Sequence, residues 1–122
     1  MKIRIQGNSI RVRLSRPEVE KLSRDSYIEE KTFFGNNSFC YALKQDVLIN
    51  ALSATYSDNN MTMYVPKAFL EKWPENNVVG IDSEMPVGKT ETLYLLLEKD
   101  FKCLDNVAED QSDNYENPNK SC

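Results

Sequence analysis

Charged and apolar residues alternate from the first positions of the chain. Ile3-x-Ile5 and Ile10-x-Val12-x-Leu14 each have the period of a strand, and Gly7-Asn8 between them tolerates the positive φ of a tight turn. The pattern predicts a hairpin with Gln6 opposite Ser9, Ile5 opposite Ile10, Arg4 opposite Arg11, Ile3 opposite Val12 and Lys2 opposite Arg13. One face of it is apolar and the other basic.

Ser15-Arg16-Pro17-Glu18 follows with the Ser-x-x-Glu spacing of a capping box and a proline in the first turn, where its missing N–H costs nothing. A short helix to about Arg24 is expected, buried through Val19 and Leu22. Tyr27 to Phe34 and Phe39 to Lys44 are β-prone runs joined by Gly35-Asn36-Asn37-Ser38. Leu48 to Tyr56 and Met61 to Val65, joined by Ser57 to Asn60, continue what reads as an antiparallel meander. Pro66 opens a second helix with Phe69, Leu70 and Trp73 at helical spacing, which Pro74 stops. Val78 to Ile81 and Thr92 to Lys99 supply the last strands, the second apolar almost throughout and therefore central.

The order ββαββββαββ, with short turns, predicts an α+β fold. Its sheet should be mainly antiparallel, curled or barrel-like, with two short helices. No internal repeat is visible. From Cys103 onward apolar residues are sparse and Asn and Asp abundant, so that stretch makes no core of its own. The expected division is a domain over 1–103 and an acidic irregular tail over 104–122, loose or docked on the domain.

Composition fits this picture: 122 residues, 40% hydrophobic and 10% aromatic, suffice for one packed core. No apolar run exceeds five residues, the length of Leu93 to Leu97, far below the ~18 of a membrane span, and the start has no secretory apolar region. Three cysteines, an odd number, fit a reducing compartment, and a cytoplasmic location is expected. The Asn-x-Ser/Thr sequons at Asn36, Asn60 and Asn119 then carry no sugar.

The net charge of −4 is unevenly spread. Residues 1–24 hold seven Lys/Arg against two Asp/Glu, and residues 100–122 hold two against six. Acidity of the whole chain counts against a nucleic-acid partner.

There is no histidine, which removes the usual general base, the usual partner of a Ser or Cys nucleophile and the commonest zinc ligand. Gly88-Lys89-Thr90 resembles the end of a phosphate-binding loop, but Ser83 stands where that pattern needs glycine. No catalytic residue and no cofactor is assigned. The basic hairpin face holds the anion-binding candidates Lys2, Arg4, Arg11 and Arg13, because like charges opposite one another destabilise a sheet unless something offsets them. Three outcomes stand open: solvation, neutralisation by Glu29, Glu30 or the tail, or a bound anion gripped by arginine forks. In the tail, Asp105, Glu109, Asp110 and Asp113 offer hard oxygens for a divalent cation, without the spacing of an EF-hand loop. Solvation and docking on the hairpin are the alternatives for that segment. Cys103 and Cys122 bracket it and form a possible thiol pair, as a disulfide or as ligands of a soft metal. Cys40, between Phe39 and Tyr41, reads as a small buried hydrophobe.

The opening Met1-Lys2-Ile3-Arg4-Ile5-Gln6-Gly7-Asn8-Ser9-Ile10-Arg11-Val12-Arg13-Leu14, with Glu18-Val19-Glu20-Lys21, resembles a family of short uncharacterised bacterial proteins. Glu109-Asp110-Gln111-Ser112-Asp113-Asn114-Tyr115 and Asn117-Pro118-Asn119 resemble the same family's ending. The likeness spans essentially the whole chain and implies no activity. Lys2, Arg4, Arg11, Arg13 and Glu98-Lys99 are also similar to the inward charges of triphosphate-tunnel barrels. In those, however, Glu, Glu and Lys alternate, whereas Glu29-Glu30-Lys31 are consecutive here and fall on opposite faces.

The functional expectation is a non-catalytic binding or interaction module that meets an unknown protein partner, or a second copy along a sheet edge. The alternative is a phosphate-binding or phosphohydrolase domain using the basic face, with a small anion as its ligand.

Overall fold

In the computed structural model, which describes residues 1–101, eight strands and two helices alternate along the chain. Strands β1 (Lys2–Gln6) and β2 (Ser9–Leu14) form the predicted hairpin in the predicted register, Gln6 facing Ser9 and Lys2 facing Arg13. Helix α1 (Arg16–Asp25) starts at the Ser15/Glu18 capping box and buries Val19 and Leu22. Ser26 ends it in the left-handed region, at φ 65°, and its N–H bonds the Leu22 carbonyl. Hairpin β3 (Tyr27–Phe33) and β4 (Ser38–Asp46) is followed by hairpin β5 (Ser53–Ser57) and β6 (Asn60–Pro66). Helix α2 (Lys67–Lys72) and a single 3-10 turn (Trp73–Glu75) lead to hairpin β7 (Gly80–Val87) and β8 (Glu91–Lys99).

The α+β class and the two short helices agree with the sequence, but the strands do not form one curled sheet or a barrel. They make two four-stranded mixed sheets, ordered β1-β2-β8-β7 and β3-β4-β6-β5. In each, two antiparallel hairpins join through one parallel pair, β2 with β8 or β4 with β6. Strands β3 to β6 are therefore not a meander, because β5 lies outside β6 and β4 pairs β6 directly. Two strand positions also move. Residues 47–52 form a loop in which Leu48 is 88% exposed, and β7 begins only at Gly80, after Val78 and Val79. At Gly80 a Cβ would lie 2.2 Å from the Leu97 carbonyl oxygen, so only glycine lets β7 approach β8 there.

The two sheets are related by an internal repeat that the sequence reading missed. Exchanging β1-β2-α1-β3-β4 with β5-β6-α2-β7-β8 leaves the pairing scheme unchanged. Fifty-one positions separate Val12 from Met63, Leu14 from Val65, Val19 from Leu70 and Leu22 from Trp73, all of them buried core residues. The tight turns match as well, Gly7 at φ 53° with Asp58 at φ 51°. So do the bonds between hairpins: Tyr94 N to Asn8 O (3.1 Å) corresponds to Cys40 N to Asn59 O (2.9 Å). Only burial is shared at most paired positions, not residue identity, which hides the repeat from inspection.

One cluster joins the inner faces of both sheets to the helices, around Leu14, Leu22, Leu43, Met63, Leu70, Trp73, Leu95 and Leu97. The outer faces remain available for chemistry.

Candidate anion-binding face

Alternation along β1 and β2 puts Ile3, Val12 and Leu14 into the core, and so turns Lys2, Arg4, Arg11 and Arg13 to the outer face of the first sheet. The parallel register of β8 then sets Tyr94 beside Ser9, Leu96 beside Arg11 and Glu98 beside Arg13. Strand β7 adds Asp82 beside Leu96 and Glu84 beside Tyr94. The face is thus graded across its four strands, basic on β1 and β2 and acidic on β7 and β8.

Glu98 lies at the seam. Its Oε1 is 2.7 Å from Arg13 Nε and 3.6 Å from Arg11 Nε, and its side chain is 17% exposed. Lys2 Nζ reaches Asp100 Oδ2 at 2.6 Å, just past the end of β8. Among the described residues the carboxylates that pair with the basic hairpin are Glu98 and Asp100, while Glu29 and Glu30 bond elsewhere; the tail, the other expected source, lies outside the described residues. Glu29 and Glu30 sit on β3. Glu29 accepts from Tyr27 Oη (3.0 Å) and Cys40 Sγ (3.2 Å), and Glu30 accepts from Tyr41 Oη (2.9 Å) and the Met1 ammonium (3.3 Å).

Arg4 differs from its three neighbours. Among the described residues no carboxylate lies within ion-pair distance of it, and its Nη2 donates only to Gln6 Oε1, at 3.3 Å. It stands opposite Arg11, and the pair borders two shallow depressions on this face. One, of about 320 Å³, is lined by Arg4, Gln6, Ser9, Arg11, Tyr94 and Leu96. The other, of about 180 Å³, lies among Lys2, Arg4, Arg11 and Arg13. Tyr94 Oη donates to Asp82 Oδ2 (2.9 Å), and that bond, with burial adding to it, pushes the phenol pKa up. The same bond fixes the position of the Tyr94 ring on the face. The arrangement offers guanidinium donors, a phenol and a side-chain amide to an anion.

The corresponding face of the second sheet lacks this charge. Fifty-one positions on, Arg4, Arg11 and Arg13 become Thr55, Thr62 and Tyr64, and Thr55 Oγ1 meets Tyr64 Oη at 3.4 Å. The basic cluster is a property of one half of the repeat.

A larger cavity of about 470 Å³ opens between α1, the 3-10 turn and the end of β8. Its rim mixes Arg16, Glu20, Glu75 and Asp100, while Lys99 is committed to the Asn76 carbonyl (2.8 Å) and the Trp73 ring (5.7 Å). No single ligand chemistry converges there.

Cys40 is buried as expected, yet on the outer face of the second sheet and outside the core cluster. Burial and the Glu29 carboxylate beside it push its thiol pKa up, the opposite of nucleophile activation. Among the described residues no three His, Cys, Asp or Glu side chains are grouped to hold a metal ion. The tail candidates Asp105, Glu109, Asp110, Asp113, Cys103 and Cys122 lie outside the described residues. No described helix is long and apolar enough to cross a membrane. The tunnel likeness finds no counterpart, because there is no closed barrel and the four basic side chains line an outer face rather than a lumen.

Sequence reasoning found the four cations but not Glu98, Asp100 or Tyr94 as their companions. The signal was present in part: Tyr94, Leu96 and Glu98 alternate with the core residues Leu95 and Leu97, but nothing local shows that β8 lies beside β2.

No curated protein and no solved structure matches the chain. A family model matches residues 1–119, almost the entire chain and most of the acidic segment included. The chain belongs to that family, a family of unknown function designated DUF7009.

Proposed function

We propose that this chain is a non-catalytic interaction module, and that the outer face of its first sheet binds an acidic segment of a protein partner. Arg4 carries the reading: a guanidinium set opposite a second arginine, beside depressions of ligand size, and without a carboxylate among the described residues. The remaining cations of the face are balanced internally, so the net attraction for an acidic peptide centres on the Arg4–Arg11 pair. A cytoplasmic setting, where thiols stay reduced, suits the free Cys40. Titration of fluorescein-labelled octaglutamate into the full chain tests this. Binding that weakens with salt and is lost in Arg4→Gln supports the module; no binding at low salt removes it.

A second reading, a small phosphate-bearing ligand, is favoured by the placement of Tyr94 and Gln6 around the larger depression. Inorganic triphosphate with and without Mg²⁺ distinguishes the two. Under the leading reading triphosphate binds no better than the peptide, and no orthophosphate is released.

A further inference from the structure

We infer that residues 104–122 of this same chain are an intramolecular occupant of the basic face and compete with any external acidic ligand for it. The inference rests on the binding reading above. Four observations point to it.

The first is charge. Residues 104–122 contain Asp105, Glu109, Asp110, Asp113 and Glu116 against the single cation Lys120, complementary to Lys2, Arg4, Arg11 and Arg13. The second is the exit point. Strand β8 ends at Lys99 beside Leu14 of β2, the Asp100 N–H bonds the Leu14 carbonyl at 2.8 Å, and the Asp100 carboxylate already pairs with Lys2. The chain therefore leaves the sheet at the margin of the basic face, with one acidic residue engaged there. The third is reach. Nineteen residues at about 3.3 Å each span roughly 60 Å when extended, whereas four strands at about 4.8 Å spacing span only about 15 Å. Several carboxylates can meet the face at once, at the high effective concentration of a short tether. The fourth is that the family model continues through this segment to residue 119, so it recurs with the fold rather than trailing from it.

Occupancy by a tethered segment lowers the apparent affinity for an external ligand by the fraction of molecules in which the face is open. If the segment covers the face about nine-tenths of the time, removing its charge tightens external binding about tenfold. The gain should shrink as salt rises, because both competitors are electrostatic.

The experiment uses the full chain and a variant with Asp105→Asn, Glu109→Gln, Asp110→Asn, Asp113→Asn and Glu116→Gln. Labelled octaglutamate is titrated into each, and the side-chain Nε–Hε resonances of Arg4 and Arg11 are recorded without ligand. The inference expects about tenfold tighter binding by the variant at low salt, and resonance shifts at Arg4 and Arg11. Adding Arg4→Gln to the variant should reverse most of the gain. Equal binding by both chains with unmoved resonances overturns the inference and leaves the face as a binding site. Absence of peptide binding in both chains with shifted arginine resonances supports the intramolecular occupant and removes the external partner instead. Resonance shifts that depend on protein concentration place the segment on a second copy, and overturn the intramolecular form.

Discussion

Replacing Glu98 by Gln separates a binding face from an ordinary surface ion-pair cluster, because both lose stability but only a binding face then binds its ligand more tightly. Glu98 accepts from Arg13 at 2.7 Å and lies 3.6 Å from Arg11, mostly shielded from solvent. A charge-assisted hydrogen bond contributes about 1.5–3 kcal/mol. The Arg13 side chain is 40% exposed, which calls for discounting that figure to about 1–2 kcal/mol. For a chain of 122 residues each kcal/mol moves Tm by roughly 4 °C, so the expected fall is about 4–8 °C. Binding should move the other way. An anion seated against Arg11 also meets Glu98, which lies 3.6 Å from the Arg11 Nε, and across a solvated face the repulsion of two unit charges is on the order of 1 kcal/mol per ligand charge. Glu98→Gln should therefore bind octaglutamate roughly fivefold more tightly for each charge seated there, since about 1.4 kcal/mol is tenfold. Calorimetric melting and peptide titration at about 0.05 M and about 0.5 M salt measure both quantities, and the higher salt should reduce both effects. A variant that loses stability yet binds no more tightly would show that Glu98 faces no ligand, and the assignment of the face would fail.

Other consequences are independent of the ligand. Gly80→Ala places a methyl carbon against the Leu97 carbonyl and Glu98 Cα, so urea unfolding should show a loss of at least about 1–3 kcal/mol. Trp73 is fully buried, and its indole N–H donates to the Val78 carbonyl at 2.8 Å; Trp73→Ala should cost about 3–5 kcal/mol, read as a lowered urea midpoint. At the start of β1 the Met1 ammonium is held by Glu18 and Glu30. Burial disfavours both the ammonium and the Glu18 carboxylate, but their mutual bond, with the Ser15 contacts to Glu18, outweighs it; the amine pKa is raised and the Glu18 pKa lowered. The Glu18 contribution is complete above its unfolded pKa of about 4.3 and fades as pH falls through the lower folded value. The Met1 contribution is complete below about pH 8 and fades as pH rises through the higher folded value. Glu18→Gln should flatten both limbs of a stability–pH curve, and limbs unchanged by the substitution would refute the pairing. Cys40 should react with iodoacetamide at pH 7 far more slowly in the folded chain than in urea, as peptide mapping would show.

Local signals were legible and distant ones were not. The two-residue turn at Gly7-Asn8 fixed all five pairs of the first hairpin, since period-two alternation allows a single register once the loop length is known. Ser15 and Glu18 marked the helix start for an equally local reason. The parallel pairs escaped because Ser9 meets Tyr94, and Cys40 meets Asn60, across segments that carry other strands, so no turn announces them. Short turns point to antiparallel pairing, whereas here whole hairpins serve as the crossovers between parallel strands. The repeat escaped because Leu22 and Trp73, or Val12 and Met63, share burial without sharing shape. The cations of the candidate face were legible from alternation alone. Their acidic seam was not, because Glu98 approaches Arg13 only through the β2–β8 pairing.

Binding of labelled octaglutamate by the full chain and by Arg4→Gln, followed across a salt series, tests the central claim most directly. The account predicts an affinity that falls steadily with salt in the parent chain, and near-complete loss of binding in Arg4→Gln with the melting temperature unchanged. Equal binding by the two chains, or none by the parent chain at the lowest salt, would contradict it.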